Sequence, residues 1–176
     1  MSKCRICKDE YTKRSMAQIV CSPQCAYEYT KAQNLKKRKA DTKKRKEKLK
    51  TVGMLKKEAQ IAVNAFIRAR DYGKPCISCG RATGCKMNAG HFRAVGGCPE
   101  LRFNTLNIYL QCEHCNNFLS GNLLEYRKRL VDRVGIDRVE WLEGKHELTS
   151  YRREDLKRIK SIFTKRKKIY DRINKG

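Results

Sequence analysis

Two Cys-x2-Cys pairs, Cys76/Cys79 and Cys112/Cys115, limit what this chain can fold into more than any other feature. Four thiolates in two such pairs close a tetrahedral zinc site, so the segments carrying them must converge on one point. Every position of that site is filled by protein sulfur. It has no place for a bound water, and its zinc is a staple rather than a reaction centre. A second set, Cys4, Cys7, Cys21 and Cys25, has the same character near the start of the chain. Roughly thirty residues bury too little surface to fold alone, so zinc is expected to supply the folding energy of an N-terminal finger. Cys85 and Cys98 are left over and read as small packed residues, the alternative being that one replaces a ligand in either set.

Charge narrows the class of partner. The chain has 176 residues and a net charge of +24. A surface so positive is the footprint of a protein that binds a polyanion, most often nucleic acid. No apolar run reaches the roughly 18 residues that cross a membrane, and the polar opening MSKCRICKDE is not a signal peptide. A membrane partner is therefore not expected, and the reading is cytoplasmic. In a reducing compartment, paired Cys spacing means metal rather than disulfides.

The chain divides into four stretches. Residues 1–30 are the Cys4 finger, in which Ser22 is placed to cap a helix and Pro23 to take its first position. Residues 31–53 are a basic helical linker. Over 31–58 thirteen Lys or Arg stand against three acids, with apolar residues too sparse for a packed stripe and Gly53 as a weak point. Residues 54–148 are the central domain. It opens on a helix whose stripe is Leu55, Ala59, Ala62, Phe66, Ile67 and Ala69. Strands are expected around Cys76–Cys79 and His91–Val95. Helices are expected from about Cys115 and over Leu123–Val134, the latter with Leu124, Tyr126, Leu130, Val131 and Val134 inward. A short helical turn over Asp137–Leu142 buries Trp141. Residues 149–176 are a basic C-terminal helix, capped by Thr149 or Ser150, with Leu156, Ile159, Ile162, Phe163, Ile169 and Ile173 on one face.

The segment between the central Cys pairs carries His91, in Asn-Ala-Gly-His-Phe, and Asn107, five residues before Cys112. Asn116 follows Cys115 directly. Hydrolysis of a phosphodiester needs a base to activate water and a hard cation to neutralise charge on the phosphate. Neutral imidazole suits the first task near pH 7. An amide oxygen can serve Mg²⁺, and a second amide can fix the imidazole tautomer.

Gly-His followed by Asn-x4-Cys-x2-Cys-Asn resembles the HNH (beta-beta-alpha metal) endonucleases that carry a four-Cys zinc staple. The resemblance implies an α+β fold: a small zinc-stapled ββα-metal, treble-clef-like core among helices. It implies His91 as general base, Asn107 as the residue that orients it, and Asn116 as a ligand of a catalytic Mg²⁺ or Mn²⁺, beside the two structural Zn²⁺. The family usually has Asp or His just before the base; here that position is Gly90. The missing ligand is then expected from Asn88, Asn117, Asn122 or Glu125, or from His91 itself.

Over nearly the whole chain, the finger, the Lys-rich segment and the strings AGHF, LRFNTLN, QCEHCNN, SGN and VEWLEG resemble the phage NinG/Rap recombination proteins. That resemblance implies a structure-selective endonuclease in the host cytoplasm, acting on branched or single-strand-containing DNA such as Holliday junctions and D-loops. Phosphate contacts are expected from Lys37, Arg38, Lys44 and Arg45 in the linker, from Arg93, Arg102 and Arg127 in the centre, and from Lys157, Lys165 and Arg166 in the last helix. Two opposed cuts at a junction imply a homodimer there. Two other readings share parts of this pattern. A nucleic-acid-binding zinc protein without chemistry explains the charge and the thiolates but gives His91, Asn107 and Asn116 no task. An HNH nuclease with another DNA substrate shares the centre.

Overall fold

The computed structural model describes residues 1–82 and 84–175, and the chain divides into two compact units, Met1–Lys50 and Thr51–Gly176. In the first unit a short antiparallel hairpin pairs β1 (Ser2–Lys3) with β2 (Glu10–Tyr11). The turn between them is a knuckle: the Lys8 amide donates to the Cys4 carbonyl at 3.2 Å, and Lys8 takes a positive φ of 69°. Helix α1 (Pro23–Leu49) opens as its sequence predicts. Ser22 Oγ accepts from the Cys25 amide at 3.2 Å, and Pro23 stands first in the helix. The helix runs 27 residues and buries none of them. Strong helix formers thus carry a regular element whose every face meets solvent.

The second unit starts at α2 (Val52–Arg70), where Thr51 Oγ1 accepts from the Met54 amide at 3.2 Å. The break between helices falls at Lys50–Thr51, and Gly53 lies inside the first turn of α2. A two-stranded antiparallel sheet follows, β3 (Met87–His91) with β4 (Ile108–Cys112), in the register Met87↔Cys112 through His91↔Ile108. A single π-helical turn, His114–Phe118, leads to α3 (Leu123–Val134), α4 (Ile136–Glu143) and α5 (Arg153–Ile173). The observed class is helices with small two-stranded sheets.

The β3–β4 hairpin is the partition between two cores. On one face Ile108 joins Leu55, Val63, Phe66 and Ile67 of α2 and Leu156 and Phe163 of α5. On the other, Tyr109 joins Tyr126 and Leu130 of α3, Val139 and Leu142 of α4, Ile77, Phe92 and Leu101. All five residues of β4 are buried. Across the partition runs one ion cluster. The carboxylate of Asp71, wholly buried, meets Arg70 at 2.6 Å and Arg133 at 2.9 Å and accepts from the Leu110 amide at 3.3 Å. Both guanidinium groups also lie over the Tyr109 ring, at 4.6 and 4.7 Å from its centre. Burial pushes the Asp71 carboxyl up, but the Arg70 hydrogen bond and the surrounding cations outweigh it and hold the group below its ordinary value.

Several expectations need correction. Cys76–Cys79 is a turn, not a strand. The strand near His91 ends at that residue instead of starting there, and its partner is Ile108–Cys112. Leu124 and Trp141 point outward, 80% and 50% exposed, while Val139 and Leu142 take the buried places on α4. The buried face of α5 is Leu156 and Phe163, flanked by Ile159 and Tyr170, whereas Ile162, Ile169 and Ile173 are exposed. Its start is fixed by Asp155, whose carboxylate accepts from the Arg152 amide at 2.9 Å, and not by Thr149 or Ser150.

Candidate metal centres and the His91 site

Both cysteine sets close. The four sulfurs of Cys4, Cys7, Cys21 and Cys25 lie within 4.8 Å of one another, as do those of Cys76, Cys79, Cys112 and Cys115. Tetrahedral zinc with Zn–S bonds of about 2.3 Å separates its sulfurs by about 3.8 Å. The observed separations are 3.5 Å for Cys7–Cys21 and 3.7 Å for Cys21–Cys25 and Cys79–Cys112. The donor set and its spacing fit a zinc-sized ion in each. The two leading knuckles share one geometry: the Gly80 amide donates to the Cys76 carbonyl at 2.9 Å, and Gly80, like Lys8, has positive φ. Burial raises the Cys79 thiol, yet the Arg81 amide and the neighbouring sulfurs bring it down to about 7. Burial drives Cys112 up to about 12. A group of four thiols with one acidic member begins to take metal at neutral pH and releases the remaining protons as it does so. Asn122 adds an amide donor to Cys115 Sγ at 3.7 Å, and the Cys112 amide reaches Cys76 Sγ at 3.3 Å. Cys85 is partly buried beside this set, and Cys98 is buried in the second core.

His91 sits at the far end of the hairpin from this cluster, four register steps away, or roughly 13 Å along the strand. Its ring is partly buried, and Nε2 is 3.1 Å from the carbonyl of Arg102. A carbonyl only accepts, so Nε2 carries the proton and Nδ1 keeps the lone pair. Burial, above all, lowers the imidazole below its ordinary 6.5; the Arg102 carbonyl opposes this and the Arg102 charge adds to it. The neutral ring is therefore the resting form near pH 7.

Asn107 is wholly buried, and among the described residues no hydrogen bond joins it to the imidazole. Its Oδ1 accepts from the Arg93 amide at 2.7 Å, while Nδ2 donates to the carbonyls of Arg93 at 3.0 Å and Leu101 at 3.3 Å. It clamps both ends of the 93–101 loop, and through that loop fixes where the Arg102 carbonyl meets His91. The sequence does not name that carbonyl, because main-chain acceptors leave no signature. Asn116 lies in the π-helical turn next to Cys115. Its Nδ2 donates to Asn117 Oδ1 at 2.6 Å, which leaves its own Oδ1 as the atom to meet a cation. No hydrogen bond joins His91 to Asn116 among the described residues.

Gly90 has a clear reason. A Cβ at this position would overlap Gln111 Oε1 and lie 2.9 Å from Gln111 Cβ and Cδ. Gln111 is wholly buried, and its Nε2 donates to Ser78 Oγ at 2.7 Å and to the Gly121 carbonyl at 2.5 Å. Its Oε1 has no hydrogen-bond partner among the described residues. Gln111 thus fills the space that a side chain at position 90 needs. Sequence reasoning misses it, because a Gln two residues from a cysteine carries no motif. The Gly90 carbonyl is in turn held by the Tyr126 hydroxyl at 3.1 Å. Of the other candidate oxygens, Asn117 Oδ1 accepts from Asn116 and Glu125 is paired with Lys128 at 2.7 Å. Asn122 stands at the start of α3 and serves Cys115, and Asn88 pairs with Gln111 across the hairpin.

The expected phosphate contacts differ in placement. Lys37, Arg38, Lys44 and Arg45 on α1 and Lys157, Lys165 and Arg166 on α5 are exposed. Arg102 is half-buried beside His91. Arg93 and Arg127, both partly exposed, are engaged by groups of the same chain. Arg93 donates to Cys98 Sγ at 3.2 Å and to the Glu143 carbonyl at 3.3 Å, and Arg127 grips the Glu143 carboxylate at 2.7 and 3.0 Å.

The family model of the bacteriophage lambda NinG protein matches residues 1–172 of this chain. The chain belongs to the NinG family. Protein ninG of Escherichia phage lambda and Protein ninG of Salmonella phage P22 are each 46% identical to it over 112 residues, 64% of this chain and 55% of each relative. The chain thus matches about half the length of those two NinG proteins. Protein ninG of Escherichia phage 933W is 38% identical over an alignment of 184 positions, which covers 94% of this chain and 92% of that relative. No solved structure matches. No described helix is long and apolar enough to cross a membrane.

Proposed function

We propose that this NinG-family chain is a metal-dependent DNA endonuclease of the HNH type, acting on branched DNA in phage recombination, with two copies placed on a junction and the host cytoplasm as its site of action. The observation that carries the reading is His91: a half-buried imidazole, kept neutral by burial, with Nε2–H tied to a backbone carbonyl and Nδ1 left as the base. The two cysteine sets hold structural Zn²⁺ and take no part in the reaction.

In this reading Nδ1 of His91 takes a proton from the attacking water. The Arg102 carbonyl, positioned by the Asn107 clamp, keeps the ring in the productive tautomer and stabilises its protonated form. Asn107 is therefore a positioning residue acting through the loop. Asn116 Oδ1 is the protein oxygen that would hold Mg²⁺ or Mn²⁺. Such an ion, when bound, supplies neutralisation of charge on the phosphate and the departing oxygen. The exposed cations of α1 and α5 engage the sugar–phosphate backbone.

The test compares four-way junction, fork, duplex and single-stranded DNA with wild type and His91→Ala, with and without Mg²⁺. Wild type should cut branched DNA in a Mg²⁺-dependent way. His91→Ala should lose cleavage while keeping its zinc content, circular dichroism and DNA affinity. Cleavage that survives in His91→Ala refutes the assignment of the base.

A further inference from the structure

Between Asn116 and α3 the backbone takes a costly course. Ser120, Gly121 and Asn122 have consecutive positive φ angles of 47°, 93° and 45°. Two of the three are not glycine, so the turn is strained and persists only because its surroundings over-determine it. They do so fully. The Gly121 amide donates to the Cys115 carbonyl at 2.8 Å and the Asn122 amide to the Leu119 carbonyl at 2.7 Å. The Gly121 carbonyl takes hydrogen bonds from both Gln111 and Ser78 at 2.5 and 3.1 Å, and the Asn122 side chain reaches Cys115 Sγ.

Beside the exposed polar residues Asn117 and Ser120, the segments flanking this locked turn display four apolar side chains. Phe118, Leu119, Leu123 and Leu124 are 75%, 46%, 49% and 80% exposed. None of the four belongs to either core cluster. The Phe118 ring stacks on His114, with centres 6.0 Å apart, and otherwise faces out. Arg129, exposed, and Lys128, whose ammonium is paired with Glu125 at 2.7 Å, follow the apolar tip one turn beyond Leu124. An apolar point backed by cations suits a partner whose interior is aromatic and whose exterior is anionic.

We propose that this turn is a wedge that enters the branch point of DNA and packs its apolar side chains against unstacked bases. The proposal rests on the nuclease reading above and adds how a branch is told from a continuous duplex. Phe and Leu are the side chains that proteins insert between base steps, and a rigid mount lets them do so without losing their own order. The wedge begins two residues after Asn116, so it would stand beside the strand to be cut. Charge favours DNA over a second copy as occupant: a chain of net charge +24 repels its like and attracts a polyanion.

The experiment uses full-length, zinc-loaded protein without divalent ion, so that binding is read apart from cleavage. Its probes are a four-way junction with 2-aminopurine at the branch point and a continuous duplex of equal length. Wild type should raise the 2-aminopurine fluorescence of the junction, as unstacking does. Phe118→Ser/Leu124→Ser should abolish that rise and weaken junction binding roughly 5- to 150-fold, the range of a lost base-stacking contact. Duplex affinity should not change, and Phe118→Leu should retain most of the effect. The substituted residues are exposed, so the fold has no reason to fail. The proposal is overturned if wild type gives no rise, if both DNAs lose affinity equally, or if the double variant instead turns a dimer into a monomer in sedimentation. A junction-specific rise, followed by no cleavage by wild type once Mg²⁺ is added, would leave the wedge standing and remove the nuclease reading.

Discussion

Gly90→Ala is a substitution of one methyl group whose cost follows from the position of Gln111. The added Cβ would overlap Gln111 Oε1, so the amide must move. Moving it breaks the hydrogen bonds of Nε2 to Ser78 and Gly121, each contributing about 0.5–1.5 kcal/mol. Crowding a full core adds about 1–3 kcal/mol. The sum is roughly 2–6 kcal/mol, a large share of the roughly 5–15 kcal/mol that holds a typical domain. In a Gln111→Ala background two of the three close contacts vanish, and only the 2.9 Å contact with the residue-111 Cβ remains. There Gly90→Ala should cost about 1 kcal/mol, giving a coupling of roughly 1–5 kcal/mol between the sites. Urea denaturation of the four proteins at fixed zinc, followed by circular dichroism, measures it. An equal cost in both backgrounds refutes the claim that Gln111 reserves the space beside position 90. Gly90→Asp alone likewise does not install a metal ligand, because Gln111 leaves the carboxylate nowhere to go.

Other outcomes follow from the same structure. The pH profile of cleavage should have its acid limb below 6.5, because burial lowers His91; the base is lost as pH falls through that depressed value, and a limb above 6.5 contradicts the assignment. Asp71→Asn should destabilise the second unit by about 3–5 kcal/mol, since Arg70 and Arg133 lose a buried counter-charge, and denaturant titration reads this directly. The depressed Asp71 carboxyl also contributes stability that is present above its unfolded value and lost as pH falls through its folded one, so the loss should appear only in strong acid. A chelator titration with a colorimetric zinc indicator should release two zinc ions per chain from wild type and one from Cys76→Ser/Cys79→Ser.

Much of the frame is legible in the chain. Cysteine spacing specifies both four-cysteine sets, the period of α2 marks its buried face, and Ser22-Pro23 marks the start of α1. The strands escape for a physical reason. Strand β4 is buried on both faces, so it shows no alternation, and the polar residues Asn107, just before it, and Gln111, within it, imitate a loop. Trp141 and Leu124 mislead because hydrophobicity indicates burial in only one direction; an exposed apolar residue leaves the same letter in the sequence as a buried one. The surroundings of the candidate base are half legible. His91 stands out in the chain, but its partner is a main-chain carbonyl, and Asn107 hydrogen-bonds a loop rather than the ring. The role of Gln111 depends on what position 90 lacks, a relation between two strands that no linear pattern carries.

Helix α1 buries no side chain, and Lys39–Lys43 and Lys44–Lys48 place like charges one turn apart. Its order is consequently a local balance, set by propensity against self-repulsion and detached from the cooperative melting of a core. Added salt screens that repulsion and favours the helix, while in the proposed DNA complex it would weaken the same lysines' hold on phosphate. Helix content and DNA affinity in this element should therefore move in opposite directions with ionic strength, and a thermal scan of far-ultraviolet dichroism should show a sloping loss from α1 beneath the sharper transition of the second unit.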